Sequence, residues 1–255
     1  IDATELGHNR PVDVAIAADA RVALSRLTTA AEEAGVTTSD SWRAQLAELD
    51  DRKREQSRMM AESDQSPIHP LRVAEEIVNF VDRDAIISVD GMETLNFGRQ
   101  WIPSFVEGAR LNSGPNGCMG VGIPFAMGAQ VAAPGRQVVA FVGDGSFFMN
   151  IQEFDTMVRH NLPVIAVVSN NGGWTGGENT TPGRSLGFNQ QYHKVVEAIG
   201  GYGELVTDPN DLPGALERAA ESGKPACINV HVEEHARATT VAFGGYSTMM
   251  SRSDA

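Results

Sequence analysis

From residue 70 onward, short apolar runs alternate with segments whose apolar positions recur at helical spacing. The runs are continuously apolar, which predicts strands buried on both faces, and the segments between them predict helices. The predicted strands are Ala85–Val89, a shorter one near Ala109–Asn112, Gln137–Val142, Val164–Ser169, Gly203–Thr207 and Ala226–Val232, and the predicted helices lie near 71–82, 94–101, 119–132, 150–160, 190–199 and 211–222. This alternation predicts an α/β fold, a doubly wound parallel sheet with helices on both faces.

The sequence before residue 70 predicts two helices and a linker. Asp19 is placed to cap a helix that passes through Leu27 and closes at Gly35. A second helix, rich in charge, covers 39–60. The segment Glu62–Pro70 contains Ser, Asp, Gln and two prolines, which indicates a linker.

Charge and cysteine content exclude several classes of partner. The formal net charge is −13, which argues against nucleic acid and anionic membranes, because binding to both depends on dense Lys and Arg. Two cysteines provide neither a disulfide framework nor a metal motif, so we expect a cytoplasmic protein. The chain starts at Ile1 without a signal-peptide pattern or an initiator Met, and we expect a processed or truncated chain.

Two glycine-containing motifs follow directly after predicted strands. Gly143-Asp144-Gly145-Ser146 follows one strand, and Asn170-Asn171-Gly172-Gly173 follows the next. Ligands of open parallel sheets bind at these carboxyl ends. The Asp144 carboxylate, the Asn171 amide oxygen and the Gly173 carbonyl are the hard oxygen ligands that Mg²⁺ takes, with two phosphate oxygens and a water completing an octahedron. Either motif alone predicts only a turn, but the pair predicts a site for Mg²⁺ and a diphosphate.

The same two motifs resemble the cofactor motif of the thiamine-diphosphate-dependent enzymes, and the resemblance extends over residues 70–235. It implies the thiamine-diphosphate-binding fold, with thiamine diphosphate and Mg²⁺ as cofactors. It implies that Asp144, Asn171 and Gly173 hold the metal. The residues that it implies for cofactor binding are Glu93, Thr94, Gly117, Met119, Gly143, Gly145, Ser146, Asn171 and Gly173.

The segment from Asn116 to Pro124 resembles the family's Gly-x-Met-Gly-x-Gly-x-Pro stretch. By that resemblance, Met119 is the apolar wedge that bends the cofactor, and the Gly117 carbonyl accepts a hydrogen bond from its aminopyrimidine. The bend brings an intramolecular base close to the reacting carbon of the cofactor. Without the flanking glycines, Met119 would be interpreted as core filler.

The resemblance also implies that part of the active site comes from elsewhere. In the family, the glutamate that activates the pyrimidine ring lies on a separate N-terminal pyrimidine-binding domain, usually of a neighbouring subunit. We therefore expect that domain as a partner, in a homodimer or homotetramer, and no activity from this chain alone. The expected organisation is 1–35 as the tail of a central domain, 36–69 as helix and linker, 70–235 as the cofactor domain, and 236–255 as a C-terminal tail, either a flexible end or a lid.

Two further segments, Gly91–Arg99 and Glu153–Pro163, look most like the 2-hydroxyacyl-CoA lyases and oxalyl-CoA decarboxylases, with the acetolactate synthases more distant. The family's Ile-Tyr after the two glycines is replaced here by Trp174-Thr175. We hypothesise that Glu178 lies in the substrate pocket and takes the 2-hydroxyl proton during cleavage. The alternative for Glu178 is an exposed loop carboxylate.

A base such as Glu178 favours a lyase that cleaves a 2-hydroxyacyl-CoA to formyl-CoA and an aldehyde or ketone, with an acyl-CoA as its substrate. Decarboxylation does not need this base for bond breaking. The first alternative is an oxalyl-CoA decarboxylase or an acetolactate-synthase-like carboligase. The second is a non-catalytic nucleotide-binding module, because a fold alone does not fix function.

Overall fold

A computed structural model describes residues 2–8, 11–174 and 183–239 of the chain. The chain forms two compact units, Ile1–Arg54 and Glu55–Ala255. The first contains α1 (Ala20–Glu33) and most of α2 (Asp40–Ala61). The predicted cap of α1 is confirmed, because the Asp19 carboxylate accepts hydrogen bonds from the backbone N–H groups of Arg21 and Val22.

The second unit is built on six parallel strands in the order β2-β1-β3-β4-β6-β5. The strands are β1 (Ile86–Asp90), β2 (Arg110–Leu111), β3 (Val138–Gly143), β4 (Ile165–Asn170), β5 (Tyr202–Val206) and β6 (Ala226–His231). The four central strands are buried almost throughout, as their apolar sequences predict. The edge strands β2 and β5 are only partly buried, since each has a neighbour on one side alone.

Helices cover both faces of this sheet, and the predicted doubly wound fold is confirmed. They are α3 (Pro70–Phe80), α4 (Glu93–Trp101), α5 (Gly122–Ala132), α6 (Asp144–Met149), α7 (Glu153–Arg159), α8 (Tyr192–Ala198) and α9 (Leu212–Glu221). One apolar core forms between the sheet and α3, α4 and α9. A second core forms on the other face beneath α5, α7 and α8.

Two predicted helices differ from the structure near the motifs. The helix predicted from 119 begins at Gly122, because Gly120 has a φ of +88°, which a right-handed helix does not allow. The helix predicted over 150–160 shortens to α7, and the separate helix α6 begins within the Gly-Asp-Gly motif. Asp144, Gly145 and Ser146 of the motif form the first turn of α6.

The predicted domain boundaries at 35, 69 and 235 stay predictions, and the structure adds how the flanking chain packs. Ile68 is fully buried and pairs with Val232, so the end of the predicted linker belongs to the packed unit. Beyond β6, Ala236 and Ala238 are buried in the core that includes α4. Residues 240–255 of the predicted tail lie outside the described residues. None of the helices in the described ranges is long and apolar enough to cross a membrane.

Candidate cofactor site

Asp144 and Asn171, which lie far apart in the sequence, converge on one backbone group. The N–H of Gly173 donates to Asp144 Oδ2 at 3.1 Å and to Asn171 Oδ1 at 3.3 Å. The two side chains meet because β3 and β4 are adjacent parallel strands, so their carboxyl ends lie side by side. A later segment of the chain holds the turn that carries Asn171, because the N–H groups of Leu186 and Gly187 donate to the Gly172 carbonyl. The structure thus brings together the two side chains that the sequence predicted as metal ligands.

The carboxylate of Asp144 is almost completely shielded from solvent. Asp144 is 3% exposed, and burial raises its pKa to about 6, against the opposing effect of backbone N–H groups that donate to it. One of these donors, Gly145, lies 2.8 Å from Oδ1. A buried anion of this kind is stabilised by a bound cation. Among the described residues, no three His, Cys, Asp or Glu side chains gather to bind a metal, so a cation here would also need amide, carbonyl and phosphate oxygens.

A cleft at the carboxyl edge of the sheet contains most of the predicted cofactor residues. Its lining comes from the ends of β1, β3 and β4 and from the loop before α5: Gly91, Met92, Glu93, Thr94, Met119, Gly143, Asp144, Gly145, Ser146, Asn171, Gly173 and Trp174. Inside it, the Ser146 hydroxyl is buried without a hydrogen-bond partner. An unpaired buried hydroxyl is costly, and a phosphate oxygen would satisfy it. The residues present therefore fit a diphosphate.

Glycines allow neighbouring segments to pack closely against the backbone that lines this cleft. A Cβ atom on Gly91, whose φ is +102°, would lie 3.3 Å from the Gly143 nitrogen and 3.5 Å from Ser146 Oγ. A Cβ atom on Gly145 would lie 2.9 Å from the nearest atom of the Trp174 indole. The indole therefore packs directly on the Gly145 backbone and forms one wall of the cleft.

Three predicted site residues differ from the others. One lies outside the cleft, one has a further contact, and one falls outside the described residues. Gly117 is exposed in the loop before α5 and does not line the cleft, although Met119 does, with 42% of its surface exposed. Glu93 lines the cleft, but its carboxylate Oε2 also accepts a hydrogen bond from the Ala238 N–H at 3.3 Å. Glu178 falls outside the described residues. The predicted roles of all three stay predictions.

Asp90 is a buried carboxylate next to this site that the sequence pattern did not single out. It is 3% exposed at the end of β1, and its two carboxylate oxygens accept hydrogen bonds from the N–H groups of Gly91 and Gly122. A signal for it was present, because Asp90 follows an apolar strand and precedes a glycine, as Asp144 does. Asn150 was also missed, and it donates to the Gly120 carbonyl at 2.6 Å.

The comparison with known families agrees with this geometry. Residues 97–230, more than half of the chain, match the family described as thiamine pyrophosphate enzyme, C-terminal TPP binding domain. The chain belongs to the thiamine pyrophosphate enzymes. Its relatives include proteins named 2-hydroxyacyl-CoA lyase and oxalyl-CoA decarboxylase, which confirms the predicted resemblance. The match to an enzyme family disfavours the alternative of a non-catalytic nucleotide-binding module.

Individual relatives correct one expectation about this thiamine pyrophosphate enzyme. The acetolactate synthase large subunit IlvG of Mycobacterium tuberculosis is 38% identical over 232 residues, which cover 88% of this chain and 41% of the relative. The 2-hydroxyacyl-CoA lyase of Arabidopsis thaliana is 32% identical over 216 residues, which cover 78% of this chain and 38% of the relative. The expectation that acetolactate synthases are the more distant group is therefore wrong for this relative.

A solved structure supports the fold. The thiamine diphosphate-dependent 4-hydroxybenzoylformate decarboxylase of Rhodococcus jostii RHA1 is similar, with a TM-score of 0.60 and 25% identity over 67% of this chain and 34% of that chain. The chain spans about two fifths of the length of these curated relatives. The reaction of the whole protein is therefore a matter for proposal.

Proposed function

We propose that this chain provides the Mg²⁺- and diphosphate-binding half of the active site of a thiamine-diphosphate-dependent carbon–carbon lyase. The observation that carries the proposal is the convergence of the Asp144 carboxylate and the Asn171 amide on one N–H group. Asp144, Asn171 and the Gly173 carbonyl would hold Mg²⁺. Ser146, Thr94 and the backbone around Gly91, Gly143 and Gly145 would hold the diphosphate.

When bound, thiamine diphosphate supplies the electron sink that allows a carbon–carbon bond next to a carbonyl to be broken or formed. The task of this chain is to orient the cofactor and exclude water from its charged end. The burial of Asp144 and the indole of Trp174 over Gly145 serve that purpose. Met119 lines the same cleft and would support the organic part of the cofactor.

The catalytic glutamate for the pyrimidine ring would come from a pyrimidine-binding domain, in this protein or in a partner subunit of a homodimer or homotetramer. Exposed apolar side chains on α5, on α6 and in the loop before α5 support this partner. Met119, Phe125, Phe148 and Met149 are each at least 41% exposed. Helix α5 is also apolar around most of its circumference, which is typical of a helix covered on both sides. Without the partner domain, we expect no turnover.

For the reaction itself, we favour cleavage of a 2-hydroxyacyl-CoA to formyl-CoA and an aldehyde or ketone. The support is the similarity to 2-hydroxyacyl-CoA lyases from several organisms and the predicted base Glu178. The direct check is Glu178→Gln in the assembled enzyme. We expect cleavage to slow by about a hundredfold or more, with thiamine diphosphate binding retained. Unchanged turnover with full cofactor binding would remove Glu178 from the mechanism.

A second candidate is carboligation of the acetolactate-synthase type, which the 38% identity to the Mycobacterium tuberculosis protein favours. Product analysis with a 2-hydroxyacyl-CoA, oxalyl-CoA and pyruvate distinguishes the candidates. Formyl-CoA with an aldehyde or ketone supports the lyase, carbon dioxide from oxalyl-CoA supports a decarboxylase, and acetolactate from pyruvate supports the carboligase.

We also propose a cytoplasmic location, on the basis of two cysteines that are both free thiols.

A further inference from the structure

Two separate stretches of the chain form walls of the cofactor cleft. One is the diphosphate loop, residues 91–94, which runs from the end of β1 into the first turn of α4. The other is the wedge loop, residues 117–121, which precedes α5 and carries Met119. A cofactor that contacts both walls needs them at a fixed separation, because small displacements in a binding site weaken binding strongly.

Asp90 connects these two loops directly. Its Oδ1 accepts from the Gly91 N–H at 2.6 Å, at the start of the diphosphate loop. Its Oδ2 accepts from the Gly122 N–H at 2.8 Å, just after the wedge loop. The residue at the N-cap of α5, Val121, makes no side-chain hydrogen bond, so the Asp90 carboxylate from β1 caps this helix instead. One buried side chain thus fixes the ends of both loops.

The close approach at Gly122 leaves little freedom in this connection. A Cβ atom on Gly122 would lie 2.7 Å from Asp90 Cβ and 2.6 Å from Val142 Cγ1. The start of α5 is therefore packed against the ends of β1 and β3. On its other side, the wedge loop is held by Asn150, whose Nδ2 donates to the Gly120 carbonyl at 2.6 Å.

We propose that Asp90 and Asn150 are positioning residues that set the distance between the diphosphate loop and the wedge loop, and thereby the fit of the whole cofactor. Neither residue lines the cleft, so each acts through the loops and not by touching the cofactor. The proposal rests on the proposed function, in which the diphosphate loop holds the charged end of thiamine diphosphate and Met119 supports its organic part.

Binding measurements with two probes test the proposal in the assembled enzyme that contains this chain. The affinities for thiamine diphosphate and for inorganic diphosphate, both with Mg²⁺, are measured for the wild type, Asp90→Asn, Asp90→Ala and Asn150→Ala. Inorganic diphosphate needs the diphosphate loop and the residues around Asp144 but not the wedge loop, whereas thiamine diphosphate needs both loops in register. We expect Asp90→Ala to lower the affinity for thiamine diphosphate about tenfold more than the affinity for inorganic diphosphate, which corresponds to one hydrogen bond to a charged group. Asn150→Ala should produce a difference of about fivefold, because its hydrogen bond joins two neutral groups. Asp90→Asn should fall between the wild type and Asp90→Ala, because the amide keeps one acceptor.

Asp211→Asn is the matched control, because Asp211 is exposed at the amino end of α9 and makes no cap hydrogen bond. It should bind both probes like the wild type. Should a substitution at Asp90 prevent folding, seen as loss of the cooperative thermal transition, Asn150→Ala alone decides the question. An equal loss of affinity for both probes, or no loss in the folded variants, overturns the proposal. Failure of the wild type to bind thiamine diphosphate would instead overturn the proposed function.

Discussion

At single positions of the cofactor cleft, the burial of polar groups lowers the stability of the folded chain but favours ligand binding. Asp144 keeps a carboxylate in a site where burial raises its pKa, and the Ser146 hydroxyl is buried without a partner. Both arrangements destabilise the folded chain on their own. Both become favourable once a cation and a phosphate oxygen occupy the cleft. Their position in one cleft is therefore better explained by ligand binding than by packing.

Ser146→Ala tests this opposition at the residue scale. Removing an unsatisfied buried hydroxyl should leave the free energy of unfolding unchanged or raise it by up to about 1 kcal/mol. The same change should weaken thiamine diphosphate binding about tenfold. Thermal unfolding and equilibrium binding measure the two effects.

Ser88→Ala is the matched control for that experiment. Ser88 lies within β1, is fully buried, and its hydroxyl also lacks a partner. It should show the same effect on stability without any effect on the cofactor. If Ser146→Ala bound thiamine diphosphate as tightly as the wild type, Ser146 would have no part in holding the diphosphate.

At the scale of elements, the ends of helices were predictable where a local cap was visible in the sequence. Asp19 caps α1 as predicted. The start of α5 was not predictable, because its cap comes from Asp90, 32 residues earlier in the chain. The strand ends were predictable to within about a residue, since apolar runs define them and the motifs follow directly.

Helix α3 has a histidine cap, which makes its stability depend on pH. His69 Nδ1 accepts a hydrogen bond from the Leu71 N–H at 3.1 Å, which requires the neutral imidazole. Burial lowers the pKa of His69 from the ordinary value of 6.5, against the opposing effect of Glu233. The unfolded chain therefore binds the proton first as pH falls. The stability contributed by this cap is fully present above pH 6.5 and is lost as pH falls toward the lowered pKa.

A comparison of the wild type with His69→Ser measures this effect, because serine caps a helix without titrating in this range. Between about pH 7.5 and about pH 5, the wild type should lose about 1 kcal/mol more free energy of unfolding than the variant. The other histidines are common to both proteins, so their titration cancels in the difference. Equal losses in the two proteins would show that the His69 cap is not the pH-sensitive group.

How much of the site could be predicted depends on how local its signals are. Asp144, Asn171 and their glycines follow strands directly, so the rule that ligands bind at strand ends was enough to group them. Asp90 and Asn150 act through single hydrogen bonds to distant backbone groups, and their partners Gly122 and Gly120 could be known only from the packed structure. The contact of Trp174 with Gly145 depends in the same way on how two loops pack.

At the scale of the whole molecule, the chain combines a polar cleft with exposed apolar side chains on neighbouring elements. The cleft holds groups for a diphosphate and a cation, while Met119 in its lining and residues of α5 and α6 expose apolar side chains. An exposed apolar area of this kind next to a binding cleft is typical of a surface that another domain covers. This arrangement fits the proposed dependence on a pyrimidine-binding domain.

Phe148→Ser tests that dependence. Phe148 is 59% exposed on α6, whose first turn lines the cleft, so the substitution should leave the chain folded and weaken its association with the pyrimidine-binding domain about tenfold. Titration of one purified component with the other measures the dissociation constant. Phe105→Ser is the control, because Phe105 is similarly exposed, at 54%, and lies between α4 and β2 instead of on α6. Equal dissociation constants for the two variants would place the partner elsewhere.

The most direct measurement of the central claim is the Mg²⁺-dependent binding of thiamine diphosphate to the assembled enzyme, compared between the wild type, Asp144→Asn and the control Asp155→Asn. Asp155 is a carboxylate on α7 that forms an exposed ion pair with Arg159. The account predicts that wild type and Asp155→Asn bind alike and that Asp144→Asn loses at least about tenfold in affinity, because it lacks the anionic metal ligand. Wild-type affinity with the same dependence on Mg²⁺ in Asp144→Asn would contradict it.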